Sequence, residues 1–196
     1  MSTFSDHLAA RVVRALERVP VEARARIYVV NLLVATAADP RHLTVTVSAN
    51  DERRRQARVE CASDEFTALS VAWDAAAFAH PELDEIGDPE HDEDGAMAWR
   101  RHVVADHGGW PEESGGGHPD PDDDRVLDLR DAFLAEVVAA AQSARALAPS
   151  VLGRTPAVTI DTEMFTDPVL EMNARANAGR LPDGARRWYA LGAEDG

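Results

Sequence analysis

Apolar residues recur at three- and four-residue spacing from the start of the chain: Phe4, Leu8, Val12, Ala15, Leu16 and Val19, with Arg11, Arg14, Glu17 and Arg18 elsewhere on the wheel. That period puts the apolar side chains on one face of a helix. Thr3, with Asp6 three residues on, predicts an N-terminal capping pair, and Pro20 closes the run. The pattern then changes. From Arg26 to Ala37 the chain is almost continuously apolar and rich in β-branched residues, which suits a strand buried on both faces at the centre of a sheet. After a turn at Asp39-Pro40, Leu43, Val45 and Val47 alternate with Thr44, Thr46 and Ser48, the period of a half-exposed strand. Two strands joined by a short turn predict an antiparallel hairpin.

Asp51 to Arg58 reads as a short polar helix, and Ser63 to Leu69 as another, with Ala72 to Phe78 continuing it or forming a second short one. Regular patterning lapses from Pro81, where Gly87 and Pro89 interrupt an acid-rich stretch; Met97 to Val104 predicts a helix bearing Trp99. Gly108-Gly109-Trp110-Pro111 breaks that helix, and Ser114 to Pro119, with its three glycines, reads as a linker. Asp124 then caps the longest helix, with Val126, Leu129, Phe133, Val137, Ala140, Ala144 and Leu147 in one stripe; Pro149 and Gly153 stop it. Ala157 to Ile160 is a strand candidate. Asp167-Pro168 opens a helix that Gly179 ends, in the expected order. Trp188 to Leu191 is either a last strand or a packing tail. The expectation is a single α+β domain over residues 1–196. It consists of a small antiparallel sheet packed by several helices, with an irregular, flexible acidic insertion at about 81–124.

Charge sharpens this picture. The chain has 196 residues and a formal net charge of −15, and all 20 of its Lys+Arg residues are Arg. Residues 81–124 hold 15 acids and two bases, so the remainder, with 20 acids and 18 bases, is close to neutral. A field of that kind repels nucleic acid and acidic membrane surfaces and attracts cationic proteins or metal ions. The N-terminus lacks the charged and apolar regions of a signal peptide, and the longest apolar stretch, Ile27 to Ala38, is far shorter than the ~20 residues that span a bilayer. A lone Cys61 forms no intrachain disulfide and reads as a small buried or half-buried thiol. These features predict a cytoplasmic protein.

No motif for chemistry assembles. Asp120, Asp122 and Asp124 sit at calcium-loop spacing, but the sixth and twelfth positions hold Arg125 and Asp131 in place of Gly and Glu, so a solvated linker and helix cap is the better reading. The seven His residues show no metal-ligand spacing, and there is no Cys pair for structural zinc. Nucleophile elbow, phosphate loop and dinucleotide fingerprint are all absent from the sequence. Arg53-Arg54-Arg55 with Arg58 reads as a solvated helix face. Hence no catalytic residue, metal or cofactor is expected. Trp99 and Trp110 bracket Arg100, Arg101 and His102 immediately after the acid run, and aromatic anchors beside steering charge are what a protein interface uses. The expected partner-binding residues are Asp84, Glu85, Asp88, Glu90, Asp92, Glu93, Asp94, Trp99 and Trp110, facing a cationic protein. The alternatives are a metal-dependent hydrolase using Asp, Glu and His of the same segment, and an accessory domain with a solubilising acidic loop.

The order of elements is similar to that of a bacterial family of domains of unknown function grouped with the immunity proteins of polymorphic toxin systems. The features that carry the resemblance are the first amphipathic helix, Ile27-Tyr28-Val29-Val30 in an apolar strand, and Ser48-Ala49-Asn50 ending a second strand. A polar helix, Trp73-Asp74, Glu171-Met172-Asn173 and Trp188-Tyr189 follow. The long acidic insertion departs from that compact pattern. The resemblance implies a non-catalytic protein that forms a tight complex with a cognate toxin.

Overall fold

Thr3 caps the first helix as its spacing to Asp6 requires: its hydroxyl accepts from the Asp6 amide, and the Asp6 carboxylate accepts from the Thr3 amide. The computed structural model describes residues 3–35, 43–108, 124–162 and 167–194. Helix α1 (Phe4–Leu16) buries Phe4, Leu8, Val12, Ala15 and Leu16, the predicted stripe. A single turn, α2 (Val21–Arg24), leads into β1 (Ile27–Ala35), which pairs antiparallel with β2 (Thr44–Asp51). Asp51 caps α3 (Glu52–Val59) and Asp64 caps α4 (Glu65–Trp73), each accepting from a backbone amide three residues on. A 3₁₀ turn at Ala75–Ala77 precedes β3 (His80–Ile86) and α5 (Glu93–Asp106). After α6 (Asp124–Leu147) and α7 (Pro149–Leu152) come β4 (Ala157–Thr162), α8 (Asp167–Ala176) and α9 (Asp183–Glu194).

The strand order is β3-β2-β1-β4, so the apolar β1 is central, as its composition predicts. The α+β class stands. Two pairings are antiparallel, whereas β4 joins β1 in parallel, so the sheet is mixed. A parallel partner needs a long crossover, and here that crossover carries α3 to α7. One sheet face is apolar, built from Val30, Leu32, Val34, Val45, Val47, Val158 and Ile160, all buried. Asp84 is paired with Val47 across the ladder and so lies on this face, where α1 meets it. The other face carries Asn31, Ser48, Asn50, Thr159 and Asp161, also buried, under α4 and α9.

Two expectations need correction. The acid-rich stretch is not irregular at its start, because residues 80–86 form an edge strand and residues 93–106 a helix. Gly87 and Pro89 break neither element but sit in the turn between them. Gly87 has φ +90°, and a Cβ there would stand 2.8 Å from the Leu43 carbonyl oxygen. The second half of the stretch, residues 109–123, lies outside the described residues. Trp188 and Tyr189 belong to a helix, and with Ala185 they make a buried stripe at helical spacing.

The outer edge of β4 is closed by side chains. Asn173 accepts from the Ile160 amide (2.6 Å) and donates to its carbonyl (2.9 Å). Asn177, one helical turn later, does the same for Val158, at 3.0 and 2.6 Å. Four residues of helix rise about 6 Å and two residues of strand about 6.6 Å, so an i, i+4 pair of amides matches the strand's repeat. These asparagines stand where another strand would hydrogen-bond.

Candidate binding surface

The acidic ridge is anchored from within. The Arg11 guanidinium grips Asp84 with two hydrogen bonds of 2.8 Å, and its remaining arm reaches Asp92 at 3.0 Å. Arg18 adds a 3.2 Å contact to Asp84. Asp92 also accepts from the Gly87 amide (3.1 Å) and lies 2.9 Å from His7 Nε2. Burial raises the Asp84 pKa, but the Arg11 hydrogen bonds with the Arg11 and Arg18 charges outweigh it, leaving Asp84 below the ordinary aspartate value. Arg11 is correspondingly shifted up by its bond to Asp84. The fit is close at Gly95, where a Cβ would fall 2.0 Å from Asp92 Oδ2. Through these contacts α1 fixes both β3 and the start of α5.

This accounting divides the predicted contact residues. Asp84 and Asp92 are buried and serve the fold. Trp99 is also interior, 2 % exposed, packed on Phe4 (5.5 Å between centroids) and edge-on to Phe133 (5.0 Å), with His102 stacked on it. Trp110 lies outside the described residues. Glu90, Glu93 and Asp94 are exposed, and Glu85 and Asp88 half-exposed. Glu85, with Glu82, belongs to the edge strand β3, Asp88 and Glu90 to the turn after it, and Glu93 and Asp94 to the first turn of α5, so the five form an acidic ridge along the β3–α5 segment. His91 sits among them, 3.6 Å from Asp88 and 3.9 Å from Glu85, so three potential ligand atoms lie within 4.8 Å of one another. Exposed acids and a histidine are common in this arrangement without any ion.

A second polar cluster went unseen in the sequence. Asn31 in β1 donates to Thr159 Oγ1 (3.0 Å) and Asp161 Oδ2 (2.7 Å) in β4, and the Tyr189 hydroxyl of α9 couples to both β4 residues. Burial pushes the Asp161 carboxyl up to about 6; bonds from Tyr189 and Asn31 pull against that, and the charge of Asp74 adds to it. A signal was present, since Thr159 and Asp161 alternate with Val158 and Ile160 and so place an acid on a strand face. No cation is within ion-pair reach of Asp161 among the described residues.

No helix among the described residues is long and apolar enough to cross a membrane. No family of proteins, no curated protein and no solved structure matches this chain.

Proposed function

We propose that this chain is a non-catalytic binding protein, of the immunity type its element order resembles, that engages a cationic protein through the β3–α5 ridge. The observation that supports this reading most is the mounting of the ridge. Glu85, Asp88, Glu90, Glu93 and Asp94 face solvent from a backbone that Arg11 clamps through two buried aspartates. Charges held in a fixed array steer a partner and set its register, and they lose little side-chain and loop freedom when it docks. The contact set keeps these five acids and Trp110; Trp99, which anchors the core, is no part of it.

Co-purification from the native host at stepped salt tests the reading. The full chain is expected to retain a basic protein at low salt and release it as salt rises. The variant Glu85→Gln, Glu90→Gln, Glu93→Gln, Asp94→Asn should retain little of it. Recovery of no basic partner, or equal retention by the variant, overturns the proposal. The metal-hydrolase alternative has Glu85, Asp88 and His91 as its three donors. A stoichiometric transition metal in protein purified without chelator would favour it.

A further inference from the structure

Four arginines from four separate stretches of sequence line one cleft of about 350 Å³ at the start of β4. Arg55 comes from α3 and Arg145 from the last turn of α6. Arg154 and Arg180 each follow a glycine in the left-handed conformation at the end of a helix, Gly153 (φ +69°) and Gly179 (φ +74°). Those turns bring both arginines to the lining of the cleft. The setting is unusual in a protein of net charge −15.

The cleft holds one carboxylate, Glu52, which pairs with Arg55, while Arg55 also lies over the Tyr28 ring at 5.6 Å. Arg145, Arg154 and Arg180 make no ion pair with any described residue, although Arg154 feels the charge of Glu52. The Arg145 Nε is buried and has no hydrogen-bond partner. Like charges gathered round one cavity repel, and a buried N–H donor without an acceptor is unfavourable. The repulsion falls when an anion occupies the space.

We propose that this cleft binds a small phosphate-bearing anion. Guanidinium groups match phosphate oxygens in paired hydrogen bonds. Three of them, arriving from α6 and from the turns after α7 and α8, suit the several oxygens of a tetrahedral dianion better than the two coplanar oxygens of a carboxylate. The site shares no residue with the acidic ridge, so its proposal stands apart from the reading of that surface.

Isothermal titration of the full chain, at constant ionic strength, with inorganic phosphate, pyrophosphate and adenosine monophosphate tests this, with citrate as the carboxylate comparator. One-to-one binding of at least one phosphate probe is expected. Its affinity should fall about tenfold or more in Arg154→Gln and in Arg180→Gln. Both side chains are exposed, so their loss leaves the fold intact, which circular dichroism checks. Arg186→Gln, outside the cleft, should bind as the parent does. Whether the free ion or the ester binds more tightly identifies the source of the phosphate. Absence of saturable binding by all three probes, equal affinity in the cleft variants, or citrate binding as tightly as the best phosphate probe overturns the proposal.

Discussion

The sheet ends in two edges that solve one problem by different means. A free strand edge is a template for pairing with another chain unless it is covered or charged. At β4 the edge is covered: Asn173 and Asn177 satisfy the outward amides and carbonyls of Ile160 and Val158 with neutral groups. At β3 the edge is charged, and the strand is held down by ion pairs from Arg11 and Arg18 to Asp84. The two buried aspartates nearest these edges differ in the same sense. Asp84 has two guanidinium partners and is shifted down, whereas Asp161 has only uncharged ones and is shifted up. A buried carboxylate therefore stabilises or opposes the fold at neutral pH according to what faces it.

The largest expected effect comes from removing the cation at the β3 edge. Arg11→Met leaves Asp84 and Asp92 buried with weaker compensation, and should cost about 3–5 kcal/mol in chemical denaturation. Adding Asp84→Asn to that variant should recover part of the loss, because one stranded charge is then gone. If the double variant is as unstable as the sum of the singles, the clamp is not electrostatic.

At the β4 edge the corresponding test is Asn173→Leu. Both the Ile160 amide and carbonyl lose their partner, for an expected cost of about 2–4 kcal/mol. Hydrogen exchange at the Ile160 amide should speed up while Leu32 in the central strand stays protected. Unchanged exchange at Ile160 would mean that the asparagine does not close the edge.

These edges also explain which features could be read from the sequence. Helices α1 and α6 and the β1–β2 hairpin follow from patterns local to the chain: a 3.6-residue stripe, a capping pair, strict alternation. Strand β3 hid because its inward position is an aspartate, and the arginine that makes this tolerable is 73 residues away. The parallel place of β4 depends on a crossover that no local period encodes. Helix α9 is legible only when Trp188-Tyr189 is taken with Ala185, three and four residues before them on the same buried face. On the ridge, the cluster of acids was legible by counting but not the division between buried and exposed members. The arginine cleft was illegible for the opposite reason, since positions 55, 145, 154 and 180 meet only after folding.

The smallest effect separates the two edges by pH. Asp161 has a folded-state pKa of about 6 against an ordinary value of 3.8, so the folded state binds more protons than the unfolded one between those values. Stability from this group therefore falls as pH rises from about 4 to 6, by about 3 kcal/mol at most, and stays reduced above that. Asp84, shifted the other way, contributes stability above its unfolded pKa and loses it as pH falls below about 4. The windows do not overlap, so one denaturation series at pH 3, 4.5, 5.5 and 7 resolves both. Asp161→Asn keeps an acceptor for Asn31 and cannot ionise. It should remove the fall in stability between pH 4 and 6, leaving only the opposite rise from His80, whose pKa burial lowers, and should stabilise the protein at pH 7 by about 1–2 kcal/mol with the acid limb from Asp84 in place. A variant that is less stable at pH 7, or that keeps the fall in stability from pH 4 to 6, would show that the carboxylate of Asp161 is compensated in the fold and that the contrast between the edges fails.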